Sequence, residues 1–254
     1  MTALATAPAR QSTAGRRLLS IVRLHLANPG TLLYTPLAIL AAIFAGSLLI
    51  WLLVLRMIGV DAAGGDSGVQ ITGGTTFIFI YMLVAAIQAT NVTFSLALGY
   101  GSTRRDYYLG SALTFVGLSA AWTAVYSVMA ALEQATNGWG LGGYMFRVAA
   151  FDDASWLAQT AATFILFLFF FFVGSATASV YVRWRATGMT VFFLALGALV
   201  IGLIALVTLT ETWDRVWLFF EAIGFSGVFA LLLIPTGLAA VVGYLILRRA
   251  TPRS

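Results

Sequence analysis

Six apolar stretches dominate this chain, and each is long enough to cross a lipid bilayer as an α-helix. A crossing needs about 20 helical residues at roughly 1.5 Å each. Only 9% of the residues are charged and 61% are hydrophobic, whereas about 25% of the residues in an ordinary soluble domain are charged. We therefore predict an all-α polytopic membrane protein with spans near residues 34–55, 75–98, 108–132, 157–181, 188–210 and 224–247.

The residues before the first span predict an interfacial helix. Residues 15–27 place Arg16 and Arg23 on one stripe and leucines on the opposite one, and the segment is too short and too charged to cross. We expect an elbow helix lying along the inner headgroups, with His25 at that interface. Residues 1–14 are predicted to be a flexible cytoplasmic tail, which makes residues 15–250 a single six-helix transmembrane domain.

The arginines are segregated among the connections. Eleven of the 14 fall in the N-terminal segment, the second and fourth connections and the C-terminus, where Asp106 is the only acid. Eight of the nine acids fall in the other connections. By the positive-inside rule both termini are cytoplasmic. This distribution accounts for the net charge of +5, so we predict contact with membrane lipid and no nucleic-acid partner.

Missing residue types exclude several kinds of chemistry. The chain has no Cys and one His, so thiolate or multi-histidine metal sites are excluded, and we expect no metal and no cofactor. All basic residues are Arg, which removes the lysine that grips nucleotide phosphates in a P-loop. No acid lies in the middle of a predicted span, where proton relays are usually found. We predict no catalytic residue and no enzyme.

Two features inside the predicted spans invite interpretation. Gln88, Asn91 and Ser95 share one face of the second span. They either form interhelical hydrogen bonds or line a substrate path, and the sequence leaves both readings open. The phenylalanine-rich run at 167–172 is interpreted as bulk that faces lipid.

The connection between the second and third spans contains the strongest motif. Its glycines permit a tight turn, and Thr103 and Asp106 have the spacing of a capping box, so the third helix should begin in the cytoplasm and present Arg104 and Arg105. These arginines serve either a partner contact or only membrane topology.

The run FSLALGYGSTRRDYYLGSAL at 94–113 resembles a signature of bacterial ABC-transporter permeases of the type 2, exporter-like family. The elbow, six spans and cytoplasmic termini are similar in plan. The resemblance implies a permease subunit in the bacterial cytoplasmic membrane that pairs with a second permease subunit, identical or related, and with two copies of a cytoplasmic ABC ATPase. It assigns coupling to the ATPase to one loop, whose residues are Gly101, Ser102, Thr103, Arg104, Arg105 and Asp106.

The family also often has an external segment that dips back into the membrane, which matches residues 213–225 here. Two other functions remain open from the residues alone. One is an ATP-independent channel or carrier, and the other is a non-transporting scaffold or assembly protein. The neutral side chains of the second span leave the substrate undefined.

Overall fold

The computed structural model describes residues 14–27, 29–58, 73–146 and 154–250. The described residues form helices and no β-strand. Seven α-helices follow in chain order, namely α1 (Ala14–Leu26), α2 (Thr35–Ile58), α3 (Gly73–Gly99), α4 (Arg104–Ala135), α5 (Trp156–Leu209), α6 (Trp213–Leu231) and α7 (Leu233–Arg248). Short π-helical segments cover Gly30–Tyr34 and Gly138–Gly142. The predicted tail lies outside the described residues except for Ala14.

The expectation of a helical, multi-pass membrane protein is confirmed. Five helical stretches among the described residues are long and apolar enough to cross a membrane, namely Gly30–Met57, Thr76–Gly99, Arg104–Ala135, Trp156–Leu209 and Trp213–Arg248. The first three correspond to the first three predicted spans. The prediction of six separate helices is not confirmed, because the fourth and fifth spans lie within one element.

That element, α5, is 54 residues long and would measure about 81 Å as a straight helix, far more than the roughly 30 Å of a bilayer core. Its backbone is not helical throughout. Arg185 has φ 57° and ψ −148°, a conformation that costs a non-glycine residue about 1–3 kcal/mol. The break falls between the two predicted spans, at residues 157–181 and 188–210.

The last stretch is also interrupted. Gly224 has φ 60° and ψ −172°, which separates the tryptophan-rich start of α6 from its end. A second interruption at Leu232 precedes Pro235, whose ring cannot donate a backbone hydrogen bond. The predicted external segment, residues 213–225, thus forms a helix up to the glycine break.

The core lies among α2, α3, α4 and the first half of α5. Phe115 of α4 stacks on Phe171 of α5 with ring centroids 5.3 Å apart, and Trp122 donates a hydrogen bond to the Leu32 carbonyl at 3.4 Å. Gly174 of α5 packs directly on α3, since a Cβ there would overlap the carbonyl oxygen of Leu83. The helices therefore approach as closely as small residues allow.

One prediction about this core was wrong. Phe167, Phe171 and Phe172 are buried, and Phe169 and Phe170 are half-buried, so the phenylalanine-rich run belongs to the protein interior rather than to its lipid-facing surface. The error has a physical cause. In lipid, an apolar side chain is equally well solvated on either side of a helix, so apolarity alone does not reveal which face is buried.

Candidate functional site

The candidate site is the turn that joins α3 to α4. Helix α3 ends at Gly99, and Gly101 has φ +80°, a left-handed conformation that glycine adopts without steric cost. The amide of Ser102 donates to the Ala97 carbonyl at 3.0 Å, and that of Gly101 donates to the Leu98 carbonyl at 3.0 Å. These bonds satisfy carbonyls at the helix end and fix the direction in which the chain turns.

The start of α4 is capped as the sequence predicts. Thr103 has extended backbone, and its Oγ1 accepts a hydrogen bond from the Asp106 amide at 3.1 Å. The reciprocal half of a capping box does not form among the described residues. Instead, the Asp106 carboxylate pairs with Arg17, with Oδ2 and Nε 3.0 Å apart.

This ion pair connects α1 to the first turn of α4. The Asp106 side chain is 13% exposed and that of Arg17 48%, so the pair is partly shielded from water. One turn further along each helix, Ile21 packs against Gly110 so closely that any Cβ at the glycine would overlap the Ile21 side chain. Helix α1 is therefore held against the start of α4 by both charge and packing.

The two arginines of the motif differ in their surroundings. The Arg104 guanidinium donates to the Arg248 carbonyl at 3.2 Å, which ties α4 to the end of α7. The Arg105 side chain is exposed and forms neither a hydrogen bond nor an ion pair with the described residues. Of the three charged side chains in the motif, two are committed to contacts within the chain and one faces outward.

Two tyrosines that directly follow the motif attach α4 to neighbouring helices. The Tyr107 hydroxyl lies 2.9 Å from Thr93 Oγ1 and donates to the Thr90 carbonyl at 3.3 Å, which joins α4 to α3. The Tyr108 hydroxyl donates to the Ala240 carbonyl of α7. The exposed turn is thus attached to the region where α1, α3, α4 and α7 pack together, which we call the base of the turn.

His25, predicted at the membrane interface, lies within this base and faces the other helices of the protein. It is 4% exposed, with its ring centroid 5.9 Å from those of Tyr107 and Phe115. Neither ring nitrogen makes a hydrogen bond of normal geometry with the described residues. Loss of hydration lowers the pKa of His25 from 6.5 to about 4, although the backbone of Ile21 partly opposes this shift. The imidazole is therefore neutral at physiological pH.

The predicted polar strip on α3 lies apart from this base. Gln88 and Ser95 are exposed and Asn91 is half-buried, whereas Thr90 and Thr93 on another face of the helix are buried. Ser95 donates to the Val92 carbonyl of its own helix at 3.4 Å, and the buried Asn91 Oδ1 has no hydrogen-bond partner among the described residues. The structure therefore leaves open which of the two readings holds.

Sequence reasoning missed one buried carboxylate. Glu133, assigned to an outer connection, is fully buried and accepts hydrogen bonds at its Oε2 from the amides of Met145 and Phe146 at 2.9 and 3.1 Å. Trp139 Nε1 donates to the same oxygen at 3.3 Å. The available signal was the glycine-rich segment after Glu133, since a chain that folds back tightly leaves backbone amides in need of an acceptor.

Comparison of the sequence and structure with known proteins identifies no relative. Neither a family model, nor a curated protein, nor a solved structure matches the chain. Among the described residues, no group of three or more His, Cys, Asp or Glu side chains is arranged to hold a metal ion.

Proposed function

We propose that this chain is the membrane-spanning permease subunit of an ATP-binding-cassette exporter, driven by a separate cytoplasmic ATPase. The observation that carries the proposal is the α3–α4 turn. Its cap and its ties to α1 and α7 hold the backbone in place, while Arg105 is exposed and uncommitted within the described residues. A rigid turn with one outward arginine suits a contact with an acidic cleft, because a guanidinium binds a carboxylate through two parallel hydrogen bonds.

The ties also suggest how motion would pass from the ATPase to the spans. A push on the turn acts on α1 through Asp106 and on α7 through Arg104. The chain has no lysine for a P-loop, so in this proposal a partner supplies the energy. Closure of two ATPases would then tilt helices between two access states.

The proposal includes six crossings, with α5 turning back at Arg185. Support comes from its 54-residue length and the non-helical backbone at that arginine. An even number of crossings agrees with the positive-inside rule and leaves both termini in the cytoplasm of a bacterial cell. Helix α1 would be the interfacial elbow, with Ile21 and His25 toward the protein while Leu19 and Leu26 remain exposed to lipid. Residues 213–225 would form the re-entrant external segment, which contains the backbone break at Gly224.

A second permease subunit would complete the substrate path. Gln88 and Ser95 are exposed on the surface of the single chain, so they line a closed path only if another subunit covers them. That subunit would be either a second copy of this chain or a related permease. Along this strip the path would be lined by neutral polar side chains. Such a lining favours a substrate that forms hydrogen bonds over one that is recognised only by its charge.

We expect a neighbouring reading frame to encode an ABC ATPase, and the test is co-expression with that ATPase, followed by reconstitution in nanodiscs. We expect a stable complex whose ATP hydrolysis depends on both partners. The variant Arg105→Lys keeps the charge and the membrane topology but loses the planar fork, and it should weaken ATPase binding by about tenfold. Arg215→Lys, at an exposed arginine assigned to the opposite membrane face, is the matched control.

One outcome would contradict the transporter assignment, and another would contradict the role of Arg105. Absence of any complex with the neighbouring ATPase would remove the transporter assignment. Native binding and coupling by Arg105→Lys would show that the arginine serves topology alone, and the contact would then have to be made by the backbone of the turn.

A further inference from the structure

A groove of about 400 Å³ lies between α7 and the region of α5 around the Arg185 break. Val180, Trp184, Gly188 and Val191 line it from α5, and Val242 and Ile246 line it from α7. The volume falls within the roughly 300–1,000 Å³ of ordinary small-molecule sites. The lining is apolar except for Thr187, so the groove offers almost no hydrogen bonds to an occupant.

Two arginines of α5 lie beside this groove. The Arg183 guanidinium lies over the Trp184 ring, 4.5 Å from its centroid, and Trp184 forms part of the groove wall. The Arg185 guanidinium lies over the ring of Tyr181, 5.8 Å from its centroid, and the Arg185 side chain is exposed. Basic side chains beside an apolar groove between membrane helices form the arrangement that recognises an anionic lipid headgroup.

The combination of an apolar groove and adjacent arginines selects among occupants. A soluble anion would use the arginines and leave the groove empty, and an apolar molecule would use the groove and leave the arginines unpaired. A second copy packed across the groove by two-fold symmetry would bring equivalent arginine clusters toward one another, which is unfavourable. A phospholipid with a negative headgroup satisfies both parts at once.

We propose that this groove binds one acyl chain of an anionic phospholipid, whose phosphate is held by Arg183 and Arg185. The bound lipid would fill the space between α7 and the α5 break and hold the two elements at a fixed separation. Cation–π contact already keeps Arg183 beside the wall of the groove, so little side-chain ordering is needed on binding. The site is independent of transport and needs no partner ATPase.

Native mass spectrometry of the purified chain, after incubation in vesicles of equal phosphatidylglycerol and phosphatidylcholine, tests the proposal. We expect the wild-type chain to retain phosphatidylglycerol over phosphatidylcholine by about tenfold or more. Arg183→Gln/Arg185→Gln should remove most of this discrimination. Val191→Trp/Val242→Trp, which fills the groove from two exposed positions, should reduce retention of both lipids.

Two control variants separate the site from general membrane affinity. Val200→Trp adds the same bulk to an exposed position of α5 outside the groove, and Arg215→Gln removes an exposed arginine elsewhere. Both should bind lipid as the wild type does. Equal retention of the two lipids by the wild-type chain would overturn the proposal, as would unchanged retention in the groove-filled variant. A lipid-free dimer that Val191→Trp/Val242→Trp disrupts would assign the groove to a second copy instead. All readouts use the chain without an ATPase, so they do not depend on the proposed transport function.

Discussion

The interior of this protein and its periphery are built from the same apolar residue types but packed in different ways. Trp51, Trp122 and Phe171 are at most 2% exposed in the core among α2–α5. Beyond the Arg185 break, Leu194 and Ile201 are more than two-thirds exposed, and no residue of α6 is buried. The core is stabilised by contacts within the chain, whereas the periphery depends on lipid or on another subunit for its solvation.

In this protein the less apolar helices are the more buried ones, which is the reverse of the rule for soluble proteins. Spans α3 and α4 are the least apolar of the five and have the largest buried share, while the most apolar stretch of α5 has no buried residue. The buried Tyr107 hydroxyl of α4 finds hydrogen-bond partners on α3, at the Thr93 hydroxyl and the Thr90 carbonyl. The hydroxyls of Thr90, Thr123 and Tyr126 have no partner among the described residues. Lipid is as apolar as leucine, so packing and hydrogen bonding, not transfer from water, determine which helices are central.

Removing an aromatic ring from each region should give the largest contrast. Phe171→Ala leaves a cavity beside Phe115, and we expect a loss of about 2–4 kcal/mol in the free energy of unfolding. Phe193→Ala, at a side chain 54% exposed, should cost less than about 0.5 kcal/mol, because lipid fills the space. Denaturant unfolding of the chain in mixed micelles measures both. Equal losses would show that the periphery is packed against a partner under those conditions.

The helices that form the core could be predicted from the sequence, but the faces that they bury could not. The long apolar runs and their flanking arginines indicated the helices and most of their ends. The capped turn was also predictable, because Gly101, Thr103 and Asp106 act on their immediate neighbours. Burial of Phe171 was not, since a helix in lipid lacks the polar face that reveals burial in water.

The contacts that define the candidate site join distant parts of the chain. Arg17 meets Asp106, and Arg104 meets the carbonyl of Arg248, 144 residues later. Nothing in the local pattern distinguishes Arg104 from Arg105, although one is tied down and the other is exposed. Such pairings depend on how α1 and α7 pack against α4. Sequence periodicity could therefore identify the motif, but not that Arg105 is the arginine without a partner among the described residues.

Adding a single methyl group should also change the free energy of unfolding differently in the two regions. The difference should be smaller than that produced by removing an aromatic ring. Gly174→Ala forces α5 away from α3, because the new Cβ overlaps the Leu83 carbonyl oxygen and lies 3.0 Å from the Ala86 side chain. We expect a loss of about 1–3 kcal/mol. Gly202→Ala has no atom within 4 Å of its Cβ among the described residues and should gain up to about 1 kcal/mol from better helix propensity. The same unfolding assay applies, and destabilisation by Gly202→Ala would reveal a contact on this lipid-facing surface.

The smallest expected effect concerns α1, which joins the interior through His25. Because burial lowers the pKa of this imidazole to about 4 from 6.5, the docked helix resists protonation while an undocked helix accepts it. Docking is therefore fully favourable above pH 6.5 and weakens as the pH falls toward 4, by about 0.5–1 kcal/mol at pH 6. The chain has no cysteine, so spin labels at Leu19→Cys and Val116→Cys, both exposed positions, report the separation of α1 and α4 without interference. We expect the population with a longer distance to increase between pH 7.5 and pH 6.

His25→Phe keeps the contacts with Tyr107 and Phe115 and leaves Arg17 and Asp106 unchanged, so its distances should not respond to pH over this range. A response of equal size in His25→Phe would assign the pH dependence to other groups and would leave His25 with a packing role only.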